Sequence, residues 1–496
     1  VTHDRPHCGV RFPAMRRVPL AVVALTAAVL PAGCDGTPTP RPTPSAPTSA
    51  PAPPTIDYSA WQAGASKPVA DKLYPKHGTA ALDVLHYDLK LAWRPEDKTL
   101  TGTATLRLRP TVDASEIKLD FKPYALDEVS VNGLATEGAK VTAEKLVVPA
   151  TVKTDEPVTL TVGYHGKPAT TPMPSHRGDV EPLGLTVTKD GSLWTMQEPF
   201  GAFTWYPAND QPSDKALYDI AVTVPAGWSA IAAGTPAGQS GTTFRYRSTD
   251  PMASYLQTLA VGKYKKIAAE GPNGLPLTYW YRPGVDERLL PSLKKSPSFI
   301  SFLEKRFGPY PFPTGGIVIV DSASGMETQQ MITMGGRPAK FDPAAYEEDL
   351  LHEYAHHWFG DSVSPSTWTD LWLNEGWATY VQFLYQQSLD GFSDAELETY
   401  LRQGDARLRK RLGPPGSPQA ANFAESNVYI CPAAMLKELN DALGDAEFFA
   451  LGKAWVQTQR NTQQDRASFI AFVNKQTGKD FTKLINTWLD ARSTPK

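Results

Sequence analysis

Cysteine is scarce, with three residues in 496, at Cys8, Cys34 and Cys431. That scarcity excludes a small fold stapled by disulfides. Long hydrophobic runs are scarce too. The apolar run at 18–30 has thirteen residues, short of the ~20 that a membrane-spanning helix needs, and no other stretch of the sequence is long and apolar enough to span. An excess of one charge is also missing, with 49 Lys and Arg against 52 Asp and Glu, or 44 against 50 beyond Thr55. A nucleic-acid binder would carry a basic patch or a high isoelectric point, so no nucleic-acid partner is expected. Hydrophobic residues, at 41%, exclude global disorder.

Proline is the residue in excess, at 45, and much of it is concentrated near the start of the chain. Met15-Arg16-Arg17 opens a basic stretch, the apolar run follows, and Leu30-Pro31-Ala32-Gly33-Cys34 closes it. The order basic, apolar, small is that of a secretory signal peptide, with Met15 as an alternative start. Its end resembles a bacterial lipobox, with Pro31 where Leu is usual, and implies a lipid anchor on Cys34. Residues 35–55 hold eight prolines among Thr, Ser and Ala and read as an extended spacer. The expected location is extracytoplasmic, as a cell-membrane lipoprotein, with plain secretion as the alternative.

Two kinds of chain follow. From about 82 to 264 the apolar residues alternate, as in Leu85-His86-Tyr87-Asp88-Leu89-Lys90-Leu91 and Val158-Thr159-Leu160-Thr161-Val162. Pro, Gly and Asp punctuate the runs, as expected for half-buried antiparallel strands, with no helical crossover. Beyond about 281 the period becomes helical, at 288–307, 342–359, 375–389, 433–443 and 481–489, with a strand candidate at 316–320. The predicted fold is α+β and multidomain: a signal segment over 1–34, a linker over 35–55, a β domain over 56–270 and a mainly α domain over 271–496.

Asp342-Pro343 is a helix start, with Asp as N-cap and Pro at the first helical position. The helix carries His352-Glu353-Tyr354-Ala355-His356. Residues i and i+4 share a helix face, so His352 and His356 can offer two imidazoles to one metal ion while Glu353 stands beside it, the arrangement found in zinc peptidases. A catalytic zinc takes three protein ligands and leaves a fourth position for water. The third candidate is Glu375, in Leu373-Asn374-Glu375-Gly376-Trp377. Glu353 would then be the base that activates the water. His357 points away from this face and is expected at the surface or behind the ligands, and Asp370 is a candidate partner for a ligand imidazole. Cys431 lacks a nearby His base and reads as a small buried residue.

His352–Gly360 by number 352–360, together with Trp368-Thr369-Asp370-Leu371-Trp372-Leu373-Asn374-Glu375-Gly376, resembles the zinc signature of the aminopeptidase N family of metallopeptidases. Phe307-Gly308-Pro309-Tyr310-Pro311-Phe312-Pro313 is similar to a turn of that family. The resemblance runs over roughly 80–490 and is strongest at 300–435. It implies a saddle-shaped antiparallel β domain followed by a thermolysin-like catalytic domain, one zinc ion, and removal of N-terminal residues from peptide substrates. It also implies three further roles. Glu327, in Ser324-Gly325-Met326-Glu327-Thr328, would bind the substrate's α-amine, with Ser324 and Thr328 replacing the family's Gly and Asn. Glu198, in Thr195-Met196-Gln197-Glu198-Pro199, would be the second amine-binding acid, with Phe203 downstream where the family has Arg. Tyr429, in Val428-Tyr429-Ile430-Cys431-Pro432-Ala433, would donate to the oxyanion, with Pro432 in place of Gly. Larger relatives continue into a helical domain that is not expected after Trp488. Two alternatives stay open: a zinc endopeptidase whose amine clamp is lost, and a catalytically silent peptide-binding lipoprotein.

Overall fold

The computed structural model describes residues 57–122, 124–177, 182–337, 341–390 and 393–496; the signal segment, Cys34 and the linker lie outside them. The alternating segments form an eight-stranded sheet, in the order Thr235–Ser240, Thr243–Ala253, Lys215–Thr223, Leu82–Arg94, Thr99–Pro110, Val158–Gly166, Ala125–Val131 and Leu134–Ala135. Thr99–Pro110 buries every second side chain, which is what period-two patterning requires of a strand with one covered face. One pairing departs from the antiparallel expectation. Leu82–Arg94 lies parallel to Lys215–Thr223, with His86 opposite Leu217. The chain between them is made of further strands rather than a helix, so no helical period marks the crossover. Ser229–Ala232, Leu259–Gly262, Leu193–Met196 and Gly184–Val187 make a second sheet.

Lys265–Glu270, Pro276–Tyr281, Gly315–Val320 and Ile332–Gly335 form a third sheet, antiparallel in its first pair and parallel in the other two. Only its buried Gly315–Val320 strand was expected; Ile332–Gly335 has four residues, too few to show a period. Around it pack α1 (Leu290–Leu293), α2 (Ser296–Phe307), α3 (Pro343–His356), α4 (Trp372–Asp390), α5 (Asp394–Leu412), α6 (Asn427–Leu443), α7 (Asp445–Thr458), α8 (Arg466–Thr477) and α9 (Thr482–Asp490). Among the described residues no helix is long and apolar enough to cross a membrane.

Several helix bounds differ from expectation for identifiable reasons. The expected 288–307 helix is divided because Pro291 and Pro297 each stand in a first turn, where a missing N–H is tolerated. The expected 342–359 helix keeps its start, since Asp342 accepts a hydrogen bond from Ala344 N at 3.0 Å, but ends at His356. There the backbone turns at Gly360, with φ 142°, and Gly360 N bonds to Val363 O at 2.9 Å. α6 begins ahead of the expected 433 because Pro432 sits inside it. α5, α7 and α8 were not expected; α8 buries only Phe469 and Val473, which leaves no visible stripe.

Two apolar cores form. One joins the β strands to Met326, Met331, Trp368, Leu371, Phe423 and Val428. The other joins the third sheet to α2, α3, α4, α6, α7 and α9. Segments belonging to both cores meet around one cleft.

Candidate active site

His352 and His356, one turn apart on α3, meet Glu375 in the first turn of α4. His352 Nε2 is 3.2 Å and His356 Nε2 3.4 Å from Glu375 Oε2, and the three donor atoms all lie within 4.8 Å of one another. Each imidazole is oriented through its other nitrogen. His352 Nδ1 bonds to Gln382 Oε1 at 3.1 Å, and His356 Nδ1 to Phe359 O at 3.1 Å. A carbonyl can only accept, so each Nδ1 donates to its partner and Nε2 is the nitrogen turned towards Glu375 and a shared metal position. Burial alone would push the Glu375 carboxyl up, but His356 and His352 hold it well below the usual range. Two imidazole nitrogens and one ionised carboxylate are a donor set that fits zinc.

Glu353 follows His352 on α3 and faces the same cleft. Burial, reinforced by the nearby Glu327 carboxylate, pushes its carboxyl well above the usual value. Gly325 passes beside it: a Cβ on Gly325 would stand 3.1 Å from Glu353 Oε1 and 2.9 Å from Met334 Sδ. Tyr429, in the first turn of α6, lies over His352 with ring centroids 6.0 Å apart and planes at 21°.

The two further carboxylates come from distant parts of the chain. Glu198 follows the Leu193–Met196 strand. Its neighbour Gln197 is locked by donating to Ser254 O at 2.8 Å and Gln257 O at 2.6 Å, and by accepting from Trp205 Nε1 at 3.0 Å. Asp210 ties the loop beyond, accepting from Gly201 N at 2.9 Å and Phe203 N at 3.2 Å. Glu327 stands on the loop that folds back on the third sheet, where Met326 bridges to Thr333. Among the described residues, Oε1 of Glu198 and Oε1 of Glu327 are buried without a hydrogen-bond partner. Burial raises both carboxyls, and for Glu198 the charge of Glu327 adds to it. A pair of buried acids with orphaned oxygens is satisfied by a cation that donates hydrogen bonds. All seven expected site residues line one cavity of about 1200 Å³.

Several expectations need correction. His357 does point away from the ligand face, but it is buried rather than at the surface: it shares a 2.8 Å hydrogen bond with Tyr310 Oη, lies 3.5 Å from Asp361 Oδ2, and is pushed down to about 3 by burial. Asp370 does not support a ligand imidazole; its Oδ1 accepts from Trp372 Nε1 at 3.2 Å, and Gln382 and the Phe359 carbonyl take the role expected of it. Cys431, by contrast, is free and buried, as expected. Thr328, in the family's Asn position, donates to Met331 O and shares a 2.8 Å bond with Thr333 Oγ1, so the loop under Glu327 is still tied. Phe203 is buried against His77, with Lys122 Nζ 5.7 Å from its ring centroid. Arg177, which no motif marks, lines the cavity and donates from Nη1 to Tyr429 Oη at 3.4 Å.

Residues 84–256 match the peptidase M1 N-terminal domain and residues 292–488 the peptidase family M1 domain. The chain belongs to peptidase family M1. Within the family it is 25% identical to aminopeptidase N of Streptomyces lividans over 434 residues, covering 82% of this chain and 50% of that protein. It is 27% identical to aminopeptidase N of Acetobacter pasteurianus over 318 residues, covering 60% of this chain and 88% of that one. The M1 zinc metallopeptidase of Deinococcus radiodurans superposes with a TM-score of 0.76 at 27% identity, over 86% of this chain and 98% of that chain. A variant of that protein bound to a Tyr-Ser-Ala substrate superposes with a TM-score of 0.77. The chain thus spans about half the length of the Streptomyces relative and nearly all of the Deinococcus one. The two-domain M1 architecture and the donor set agree on zinc as the cofactor.

Proposed function

We propose that the protein is a zinc-dependent aminopeptidase that removes residues one at a time from the free N-terminus of peptides. The observation that carries this reading is the pair of buried, unpartnered carboxylate oxygens of Glu198 and Glu327 in the same cavity as the His352, His356 and Glu375 donor set. Zinc held by those three residues would act as a Lewis acid on the scissile carbonyl and acidify water. Glu327 and Glu198 bind the substrate's α-ammonium, which fixes the first peptide bond beside Glu353. The Glu353 carboxylate accepts a proton from the attacking water and returns it to the leaving amine. The Tyr429 hydroxyl donates to the carbonyl oxygen as charge develops there, an effect worth about 3 kcal/mol for one donor in other hydrolases.

The intact pair of acids speaks against an endopeptidase that has lost its amine clamp, because that reading leaves two buried carboxylates without a ligand. The test is hydrolysis of a free-amine peptide beside its N-acetylated twin, with chelation and zinc restoration as the control. Cleavage of the free-amine form alone, one residue per event, supports the proposal; equal cleavage of both refutes it. The reading extends to location: the basic-apolar-small segment ending at Cys34 supports an extracytoplasmic enzyme tethered to the cell membrane by a lipid on that cysteine. Retention of Cys34→Ala in the membrane fraction would overturn the tether.

A further inference from the structure

The cavity holds one Lys or Arg side chain among the described residues that line it, Arg177, against seven carboxylates. Arg177 stands on the connection between the Val158–Gly166 and Gly184–Val187 strands, 21 residues before Glu198 and far in sequence from the other site residues. Its approach is fixed by the backbone: the preceding residue, His176, donates from its N–H to Ala421 O at 2.9 Å, on the segment that leads into α6. From there Arg177 Nη1 reaches Tyr429 Oη at 3.4 Å.

A phenol oxygen has two lone pairs and one proton. When a guanidinium N–H takes one lone pair, the phenol proton is left for another acceptor, and the cation strengthens the hydrogen bond that the phenol then donates. Tyr429 is the residue placed to meet the carbonyl oxygen of the scissile bond, so the Arg177 charge is relayed to the atom where negative charge develops. No proton changes owner in this relay: the O–H bond stays intact and only its polarity changes.

We propose that Arg177 is a positioning residue for Tyr429, holding the phenol so that its proton faces the reacting carbonyl and delivering the positive charge of the β domain to the oxyanion through it. The proposal rests on the aminopeptidase reading. The rival for a lone cation in a peptide-binding cavity is a direct clamp on the substrate's C-terminal carboxylate.

The experiment is a double-mutant cycle in the zinc-loaded full chain, with R177Q, R177K and Y429F, and R177Q combined with Y429F. A free-amine tripeptide is supplied both as the acid and as the C-terminal amide. R177Q is expected to lower kcat about tenfold on both forms with KM little changed, as befits a hydrogen bond from a charged donor. R177K should recover part of the loss, and in the Y429F background the substitution should change kcat by no more than about twofold. An equal loss in the Y429F background, or a loss confined to the carboxylate-bearing peptide, overturns the proposal. Calorimetric binding of a phosphinic peptide, which mimics the tetrahedral state, gives a readout without turnover. R177Q should weaken it by the same factor as kcat while leaving the affinity for the product amino acid unchanged, and equal weakening of both ligands overturns the proposal. If the unsubstituted protein cleaves no free-amine peptide, the aminopeptidase reading fails, and the phosphinic comparison still decides the role of Arg177.

Discussion

Gly376 on α4 and Pro432 on α6 approach so closely that a Cβ on Gly376 would stand 2.7 Å from Pro432 Cβ and 3.0 Å from its Cγ. Glu375 precedes the glycine, and Tyr429 lies one turn before the proline, so this contact sets the spacing between the carboxylate ligand and the phenol. The family's glycine at the second position is here a proline, and the close packing falls on the glycine of the opposing helix. Gly376→Ala should therefore separate α4 from α6. We expect a stability loss of about 1–3 kcal/mol by thermal unfolding and a fall in kcat. Pro432→Gly, combined with it, removes the opposing ring and should restore part of both. Simple addition of the two losses would show that the contact does not set the spacing.

Glu353 and Gly325 are coupled in the same way at the other wall of the cleft. Glu353→Gln should fold, retain zinc by metal analysis and lose about 10²–10⁴-fold in kcat, the range expected for a general base. Gly325→Ala places a methyl group against Glu353 Oε1 and Met334 Sδ, so it should lower kcat less steeply, with zinc content unchanged. Loss of zinc in Glu353→Gln would move that carboxylate from base to ligand.

How far such relations were legible depends on their distance along the chain. His352 and His356 declare themselves because i and i+4 on one helix share a face whatever the tertiary fold, and Glu375 follows on the next helix with its own framing residues. Glu198 and Glu327 carry no local signal; they meet because the second and third sheets bring their loops together, and only the family resemblance pointed to them. Arg177 had neither signal. His357 shows the limit of a helical wheel, which gives a direction but not what fills the space there; that space holds Tyr310 and Asp361. Alternation along residues 82–94 showed a strand but could not show that one neighbour runs parallel, because side-chain period is indifferent to strand direction.

Lys215 opens the Lys215–Thr223 strand and is buried, its Nζ donating to Asp361 O at 2.7 Å and Ser362 O at 3.2 Å, just beyond the ligand helix. Burial pushes its amine from 10.5 down to about 7, against the pull of Asp361 and Asp250. Between those two values the unfolded chain holds a proton on this lysine that the folded protein does not. Its contribution to stability therefore rises with pH across that window, by at most about 1.4 kcal/mol per pH unit, and is absent below it. Lys215→Met should flatten the alkaline side of a stability-against-pH profile measured by denaturant unfolding. An unchanged slope from pH 7 to 10 would mean that the lysine stays charged in the fold.

Four threonine hydroxyls join the segments that carry Glu198 and Glu327, the two acids proposed to bind the amine. Thr195 Oγ1 lies 3.2 Å from Thr258 Oγ1, Thr258 2.9 Å from Thr333, and Thr333 2.8 Å from Thr328. Thr195 is three residues before Glu198, and Thr328 follows Glu327. A hydroxyl donates one hydrogen bond and can accept others, so the chain passes orientation from one loop to the other without any charged group. Thr258→Val keeps the volume but leaves the hydroxyls of Thr195 and Thr333 short of a buried partner, at a cost of roughly 1–3 kcal/mol. Because the proposal has these acids hold the ammonium rather than the reacting carbonyl, the kinetic expectation is a severalfold rise in KM for free-amine peptides with kcat nearly unchanged. Thr258→Ser returns the hydroxyl and should return the KM. A fall in kcat at constant KM would instead mean that the chain supports Glu353 or Tyr429 rather than the amine clamp.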